Sequence, residues 1–419
     1  METVTKVGYR LLPFPEAAEP ATGNTPVSQG RRRWVLAGAG AAALAAGGTV
    51  AGLMWRDRRS PPSAEAQALY EKGREALRQG LPEPTAQAIG FLREAVADAP
   101  DFADAWGELS SAYQHSLTYT EPARQPGVVA QAEAAARRAQ ELDPAQPVAA
   151  ATLALLVPVY RNWEKAEPLF LKARRLHPGE PNVLAGHGRM ILGLGRIKEA
   201  VTALEASVAA DVYVPPHRQL LAMALWADGR GEEAELAIRK ALALWPRHYA
   251  LWFLRFYMLA HGGRADEALA FAADRAGRPP NVPPEDLDMQ IASIRALQSR
   301  EPAAVEAVIR TYREIAPRGA GYAELALRGL SAFGRLNDAF AVARGYYLGE
   351  AFKVGAERFG AQGRFVQSGS LMTHHLFLPP TAAMRADPRF GSLMRDIGIA
   401  AYWKRSGRGP DNPAWARVA

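Results

Sequence analysis

A 34-residue period runs through the middle of this 419-residue chain and narrows the fold before any other feature is weighed. Pro144, Pro178, Pro246 and Pro280 fall on one grid of that spacing, with Val212 at the node between them. Gly195, Gly229 and Gly263 form a second grid, each followed by arginine, and Ala166, Ala200, Ala234 and Ala268 form a third. Each residue type has a physical reason for its place. Proline cannot continue a helix. Glycine accepts the left-handed backbone that ends one. Alanine lets two helices approach closely. The three grids in fixed phase describe a helix, a glycine turn, a second helix and a proline stop. Units of this size cannot bury their own apolar faces and stack into a solenoid.

These positions resemble the tetratricopeptide repeat, a helix–turn–helix unit with small residues where its helices cross. Trp106, Leu109 and Tyr113 match the first-helix packing positions of an early unit, and Trp252 takes the tryptophan position of a later one. Ala88, Leu92, Ala95 and Pro100 mark the second helix of the first unit, and Gly334-Arg335 with Ala339 marks one more repeat. The fold class expected is all-α: a tetratricopeptide-repeat superhelical solenoid of about eight units over 64–347, preceded by a single transmembrane helix. The unit from Asp101 to Pro144 carries about ten extra residues, placed at the polar Gln114-to-Pro126 stretch, and the unit ending at Pro317 runs about three residues off the grid. Residues 370–413, with Met384-Arg385-Ala386-Asp387-Pro388-Arg389-Phe390 and Gly398-Ile399-Ala400-Ala401-Tyr402-Trp403, resemble a closing segment of bacterial repeat proteins fused to winged-helix regulators or nucleotide cyclases. They read as a cap, with Asp387 starting a helix and Pro388 in its first turn, covering the apolar face of the last repeat.

Trp34 to Trp55 is an uncharged run of 22 residues with Arg31, Arg32 and Arg33 before it and Arg56, Arg58 and Arg59 after. As a helix it is about 33 Å long, enough to cross a hydrocarbon core. The tryptophans at its two ends suit the headgroup level. Gly48 and Gly52 form a small-xxx-small pair through which a homodimer would associate. The competing reading is an export signal built on Arg32-Arg33 with cleavage near Ala43-Leu44-Ala45.

Three arginines on each side leave the orientation open, so it has to come from residues 1–12. Met1-Glu2-Thr3-Val4-Thr5-Lys6-Val7-Gly8-Tyr9-Arg10-Leu11-Leu12 resembles the C-terminal hairpin of the response-regulator-type winged helix. The recognition helix of that family is not in the chain, so either Met1 is an internal start or the DNA-binding part has been lost; DNA is a partner only if a winged helix is encoded upstream. The resemblance implies a cytoplasmic N-terminus at a bacterial inner membrane. Residues 13–33 are then a Pro-rich cytosolic linker and the repeat domain is periplasmic.

Chemistry is not legible in the chain. It has no cysteine, which excludes disulfides, thiolate metal sites and a cysteine nucleophile. No phosphate-binding glycine loop, nucleophile elbow or zinc-binding H-E-x-x-H appears. The formal charge of +7 comes from arginines spread over solvated helix faces. His374 and His375 are adjacent and are expected to point apart on a regular element; His187, His217 and His248 read as packing or surface residues. No enzyme, cofactor or metal is expected.

What repeats of this type do is bind. By resemblance, stacked first helices line a groove for a protein or peptide partner. Projected onto the period, the groove residues are Asn182 and Arg189, then Gln219, Met223 and Trp226, then Phe253 and Tyr257. That mix suits a segment with apolar side chains. The functional expectation is a membrane-anchored repeat protein forming the sensory part of a one-component transcriptional regulator. The alternative is an envelope assembly scaffold with no DNA-binding role.

Overall fold

The computed structural model describes residues 61–280, 282–355, 357–359, 364–366 and 370–417. The winged-helix-like hairpin, the linker and the 34–55 run lie outside them. Among the described residues no helix is long and apolar enough to cross a membrane.

Eight helix pairs make up the array. They are α1 (Ala64–Arg78) with α2 (Pro82–Asp98), α3 (Ala103–Ser116) with α4 (Gln125–Leu142), α5 (Pro147–Leu155) with α6 (Trp163–Leu176), and α7 (Pro181–Leu192) with α8 (Ile197–Ala210). Next come α9 (Pro215–Ala227) with α10 (Gly231–Leu244), α11 (Tyr249–His261) with α12 (Ala265–Ala273), α13 (Pro284–Ser299) with α14 (Pro302–Ile315), and α15 (Ala320–Ala332) with α16 (Leu336–Leu348). The described chain is therefore a tetratricopeptide-like α-solenoid. A short antiparallel hairpin, β1 (Glu357–Phe359) and β2 (Arg364–Phe365), follows. Four short helices close the chain: α17 (Ala382–Ala386), α18 (Arg389–Ile397), α19 (Ile399–Ser406) and α20 (Ala414–Arg417).

The turn between the helices of a pair is the same device each time. Gly195, Gly229, Gly263 and Gly334 have φ of +74°, +80°, +78° and +72°. The following arginine N–H reaches back across the turn, as from Arg196 to the Ile191 carbonyl and from Arg230 to that of Leu225. This is the six-residue closure that satisfies the carbonyls orphaned at a helix end. The arginine then pairs with a glutamate three residues on: Arg196 with Glu199, Arg230 with Glu233, Arg264 with Glu267. Arg161, one period before Gly195, holds the same left-handed turn at φ +58° without glycine. Proline opens many of the helices, and side chains of Ser63, Glu180 and Glu301 cap three of them.

The core forms where the helices cross. Ala166, Ala200, Ala234 and Ala268 are fully buried, and Trp252 stacks on Phe271 at 4.9 Å and on Phe256 at 5.4 Å. Burying each large side chain of this kind contributes about 1.5–3 kcal/mol. The extra residues of the second unit begin within Gln114–Pro126, as a turn at Leu117–Tyr119. That turn is not a polar surface loop, because Leu117 is buried and the Tyr119 hydroxyl donates to the Gly80 carbonyl at 2.6 Å.

The array turns back on itself. Arg78 of α1 pairs with Asp211 at 3.1 Å, and His248 Nε2 donates to the Gln79 carbonyl at 3.0 Å, so the first pair meets the end of the fourth and the start of the sixth. At the other end, the Tyr160 hydroxyl donates to the Tyr347 carbonyl at 2.7 Å. The sequence led to the expectation of a segment covering only the last repeat, and the C-terminal segment does more. It touches α16 through Arg344–Asp396, then crosses to the middle of the array. There Trp403 Nε1 donates to the Leu194 carbonyl at 2.9 Å, and Asp411 N–H to that of Gly195 at 3.0 Å. Leu376, Phe377, Phe390, Ile397 and Tyr402 are buried in the same core as α7 and α8. A single cap on one end would have left the middle repeats' apolar face uncovered, which explains the longer path. The cap of α18 is Pro388 and not Asp387, which stands one residue earlier with its carboxylate accepting from Arg389 N–H at 2.9 Å.

Candidate interaction site on the inner face

One register position recurs along the first helices of the pairs. Six residues before each turn glycine stand Arg189, Met223 and Tyr257, and the register of Gly334 puts Arg328 at the same place in the last pair. Arg328 lies over the Tyr257 ring at 4.7 Å. The hairpin β1–β2 crosses the array. Arg358 reaches Glu324 of α15, Arg364 lies over the rings of Tyr249 at 5.2 Å and Tyr119 at 6.0 Å, and Gln125 donates to the Val366 carbonyl at 3.2 Å.

The residues projected from sequence separate into two groups. Met223, Trp226 and Phe253 are buried in the main core, because neighbouring first helices meet along that part of the face. Asn182, Arg189, Gln219 and Tyr257 stay half-buried. Asn182 is tied to Glu180 at 3.1 Å. Among the described residues the Arg189 guanidinium makes no hydrogen bond or ion pair. Burial and the neighbouring Arg358 both pull its guanidinium below the ordinary arginine range.

Two buried carboxylates bind the C-terminal segment to the array, and sequence reasoning missed both. Glu324 accepts from the Tyr346 hydroxyl at 2.8 Å and pairs with Arg358 and with His375, whose Nε2 stands 3.0 Å away. Arg328 donates to His375 Nδ1 at 2.8 Å, so the imidazole is neutral with its proton on the Nε2 facing Glu324. Burial alone would push the Glu324 carboxyl up, but Arg358 and His375 beside it hold it well below the usual range. The same arrangement recurs at Glu167. Arg174 donates to His187 Nδ1 at 2.8 Å, and His187 Nε2 faces Glu167 at 3.7 Å. Arg196 and Arg408 reach that carboxylate at 2.6 and 3.0 Å, and Tyr402 donates to it. Opposing burial, the neighbouring His187 imidazole and the hydrogen bonds from Tyr402 and Arg196 keep Glu167 ionised far below the ordinary carboxylate range.

His374 and His375 do not point apart. A tight 3-10 turn over His374–Phe377 brings their rings to 4.1 Å, and both are buried. Arg328 takes the His375 Nδ1, while Nε2 stands beside Glu324 outside hydrogen-bond geometry. Among the described residues no group of three His, Asp or Glu is placed to hold a metal.

No family model matches this chain, and no curated protein matches it. Solved structures do overlap with it. A tetratricopeptide repeat protein from Parabacteroides merdae aligns at 16% identity over 59% of this chain and 91% of that one, with a TM-score of 0.35. The pilF protein of Pseudomonas aeruginosa aligns at 17% identity over 59% and 93%, again at 0.35. YrrB, described as a tetratricopeptide protein with an unusual peptide-binding site, aligns at 17% over 44% and 94%, with a TM-score of 0.30. Overlaps this loose say nothing of what the present chain binds. Its repeat character stands on its own 34-residue period and on the recurring glycine turn.

Proposed function

We propose that this chain is a non-enzymatic interaction protein whose inner solenoid face takes a segment of a protein or peptide partner. The observation that carries the reading is the inner column itself. Consecutive repeats turn arginine, amide and aromatic side chains inward, and Asn182, Arg189, Gln219 and Tyr257 stay accessible there. Rigid helices displaying aromatic and arginine anchors in a concave surface suit an extended segment.

The finer reading rests on the N-terminal sequence. Residues 34–55 hold the protein in a bacterial inner membrane, residues 1–12 mark descent from a winged-helix regulator, and the array works outside the membrane as its sensory part. A photoreactive amino acid at half-buried Gln219, expressed in the native cells, is expected to capture a partner, whereas one at Arg239 on the outer face is not. Equal capture at both positions, or none at Gln219, would overturn the inner-face assignment. A reporter fused after Ala419 tests the orientation: activity confined to the cytosol would sink the membrane part of the reading.

A further inference from the structure

The array already holds one extended segment of its own chain, and the contacts of that segment show what the face beneath it takes. From Gly349 to Met372 none of the described residues is buried, whereas Tyr346 and Tyr347 before this stretch and Thr373 to Leu378 after it are. The hairpin β1–β2 lies in the middle of the stretch. Its strands of three and two residues pair in an irregular register and are too short to stand alone, so side chains of the array set where this strap lies.

Three contacts hold it. Arg358 pairs with Glu324, which stands one turn before Arg328 on α15. Arg364 lies over two rings, Tyr249 at 5.2 Å and Tyr119 at 6.0 Å. Gln125 donates to the Val366 carbonyl at 3.2 Å. Tyr249 is on the same helix face as Tyr257: Tyr249, Phe253 and Tyr257 follow at four-residue steps on α11, with ring centroids 4.6 and then 5.9 Å apart. Arg364 covers one end of this stripe of rings, and Arg328, 4.7 Å from the Tyr257 ring, covers the other.

These groups suit arginine. A carboxylate meets the planar guanidinium with parallel hydrogen bonds, and a tyrosine ring takes its flat face. The Gln125 amide takes a main-chain carbonyl, which any extended segment can supply. The strap is also displaceable. Arg358, Arg364, Phe365 and Val366 are only half-buried, so lifting them leaves the fully buried core in place. Its advantage over a free segment of the same chemistry is its tether, which gives it an effective concentration of about 1 mM.

We propose that the inner face is a site for an arginine-bearing extended segment, held in the free chain by its own Arg358, Arg364 and Val366, which a partner segment of the same chemistry displaces. This rests on the reading of the inner face as the partner site and names the partner's chemistry and its internal competitor. It also amends the expectation of an apolar segment: Met223, Trp226 and Phe253, which suggested one, are core residues.

The test uses the full chain in detergent with a fluorescein-labelled peptide of residues 354–368, read by anisotropy against the same peptide with both arginines replaced by glutamine. In the unchanged chain the tethered strap competes and binding is weak. Arg358→Gln with Arg364→Gln loosens the strap and leaves Glu324, Tyr119, Tyr249 and Gln125 in place. That double variant should bind the arginine peptide at least about tenfold more tightly, as loss of a competitor at about 1 mM does for a site of about 100 µM affinity. The glutamine peptide should bind none of these proteins, and Tyr249→Leu added to the double variant should reduce the gain. Arg364→Gln alone keeps the pair between Arg358 and Glu324. It supplies a second variant, expected to gain affinity with little change in thermal midpoint. A merely structural strap would behave in the opposite way, Arg364→Gln lowering the midpoint and leaving peptide binding as it was. Equal affinity in the unchanged chain and both variants, equal binding of the two peptides, or no binding to either variant would overturn the proposal. If a partner captured at Gln219 is not displaced by the arginine peptide, the arginine assignment fails while the inner-face reading stands. If nothing is captured at Gln219, the reading beneath it fails instead.

Discussion

Two turn glycines make a paired experiment on how the C-terminal segment is seated. Gly229 and Gly195 occupy the same node of the repeat, with φ of +80° and +74°. A methyl group added at Gly229 meets nothing within 4 Å, so Gly229→Ala reports the backbone alone. A non-glycine residue in this left-handed conformation costs about 1–2 kcal/mol, and alanine's less flexible unfolded chain offsets part of that, leaving a net loss of about 1 kcal/mol. At Gly195 the same methyl would stand 2.8 Å from Phe377 Cε1 and 3.1 Å from Pro410 Cβ, both on the C-terminal segment. Overpacking of that kind adds about 1–3 kcal/mol. Gly195→Ala should therefore lose two to four times as much as Gly229→Ala in urea unfolding followed by circular dichroism. Deleting residues from Phe377 onward should bring the increment due to Gly195→Ala down to that of Gly229→Ala. Equal losses in the intact chain would mean that the segment does not sit on the Gly195 turn, and the clasp described above would be wrong.

The other expectations are separable from that one. Glu167→Gln leaves Arg196, Arg408 and Tyr402 facing a neutral amide and should cost about 3–5 kcal/mol, as breaking a buried pair does. Glu164→Gln on the same helix removes only the exposed pair with Arg405 and should cost under about 1 kcal/mol, so similar unfolding midpoints for the two would contradict the burial argument. The pH dependence follows from His217 and His261, both pushed down to about 3 by burial. Each stays neutral in the folded chain while its unfolded counterpart takes a proton near pH 6.5. Stability is therefore full above that pH and falls as the pH drops toward 3. The double variant His217→Gln with His261→Gln should flatten the decline in urea midpoint between pH 7 and 5, and an unchanged slope would refute the assignment. Arg161→Gly relieves a left-handed residue at a glycine node and should stabilise by up to about 1 kcal/mol, read as a higher thermal midpoint.

How far the fold could be read in advance depended on the separation of the contacts. The glycine–arginine turn is local, and its grid placed the helix boundaries from α7 to α12 and again at α15. Arg161 escaped notice because the pattern was sought as glycine, although the node lies one period before Gly195. Arg328 was within reach of the same reasoning, since carrying the inward projection to the Gly334 register lands on it. The clasp was not. Tyr402 meets Glu167 and Trp403 meets Leu194 across more than two hundred residues, and no period links a capping segment to a middle repeat. Which inward residues would be buried also depended on how tightly neighbouring first helices pack. That tightness put Trp226 and Phe253 in the core and left Gln219 and Tyr257 at the surface of the interior.

The absence of native cysteine makes the central claim directly measurable, because a single introduced thiol is the only one to label. Cysteines placed at Asn182 and Gln219 on the inner face, and at Arg137 and Arg239 outside, would be reacted with a maleimide in the purified chain and in the native cells. A partner seated on the inner face predicts that Asn182→Cys and Gln219→Cys label readily in the purified chain and are protected in the cells, while Arg137→Cys and Arg239→Cys label equally in both. Labelling in the cells as fast at Gln219→Cys as in the purified chain would contradict the account.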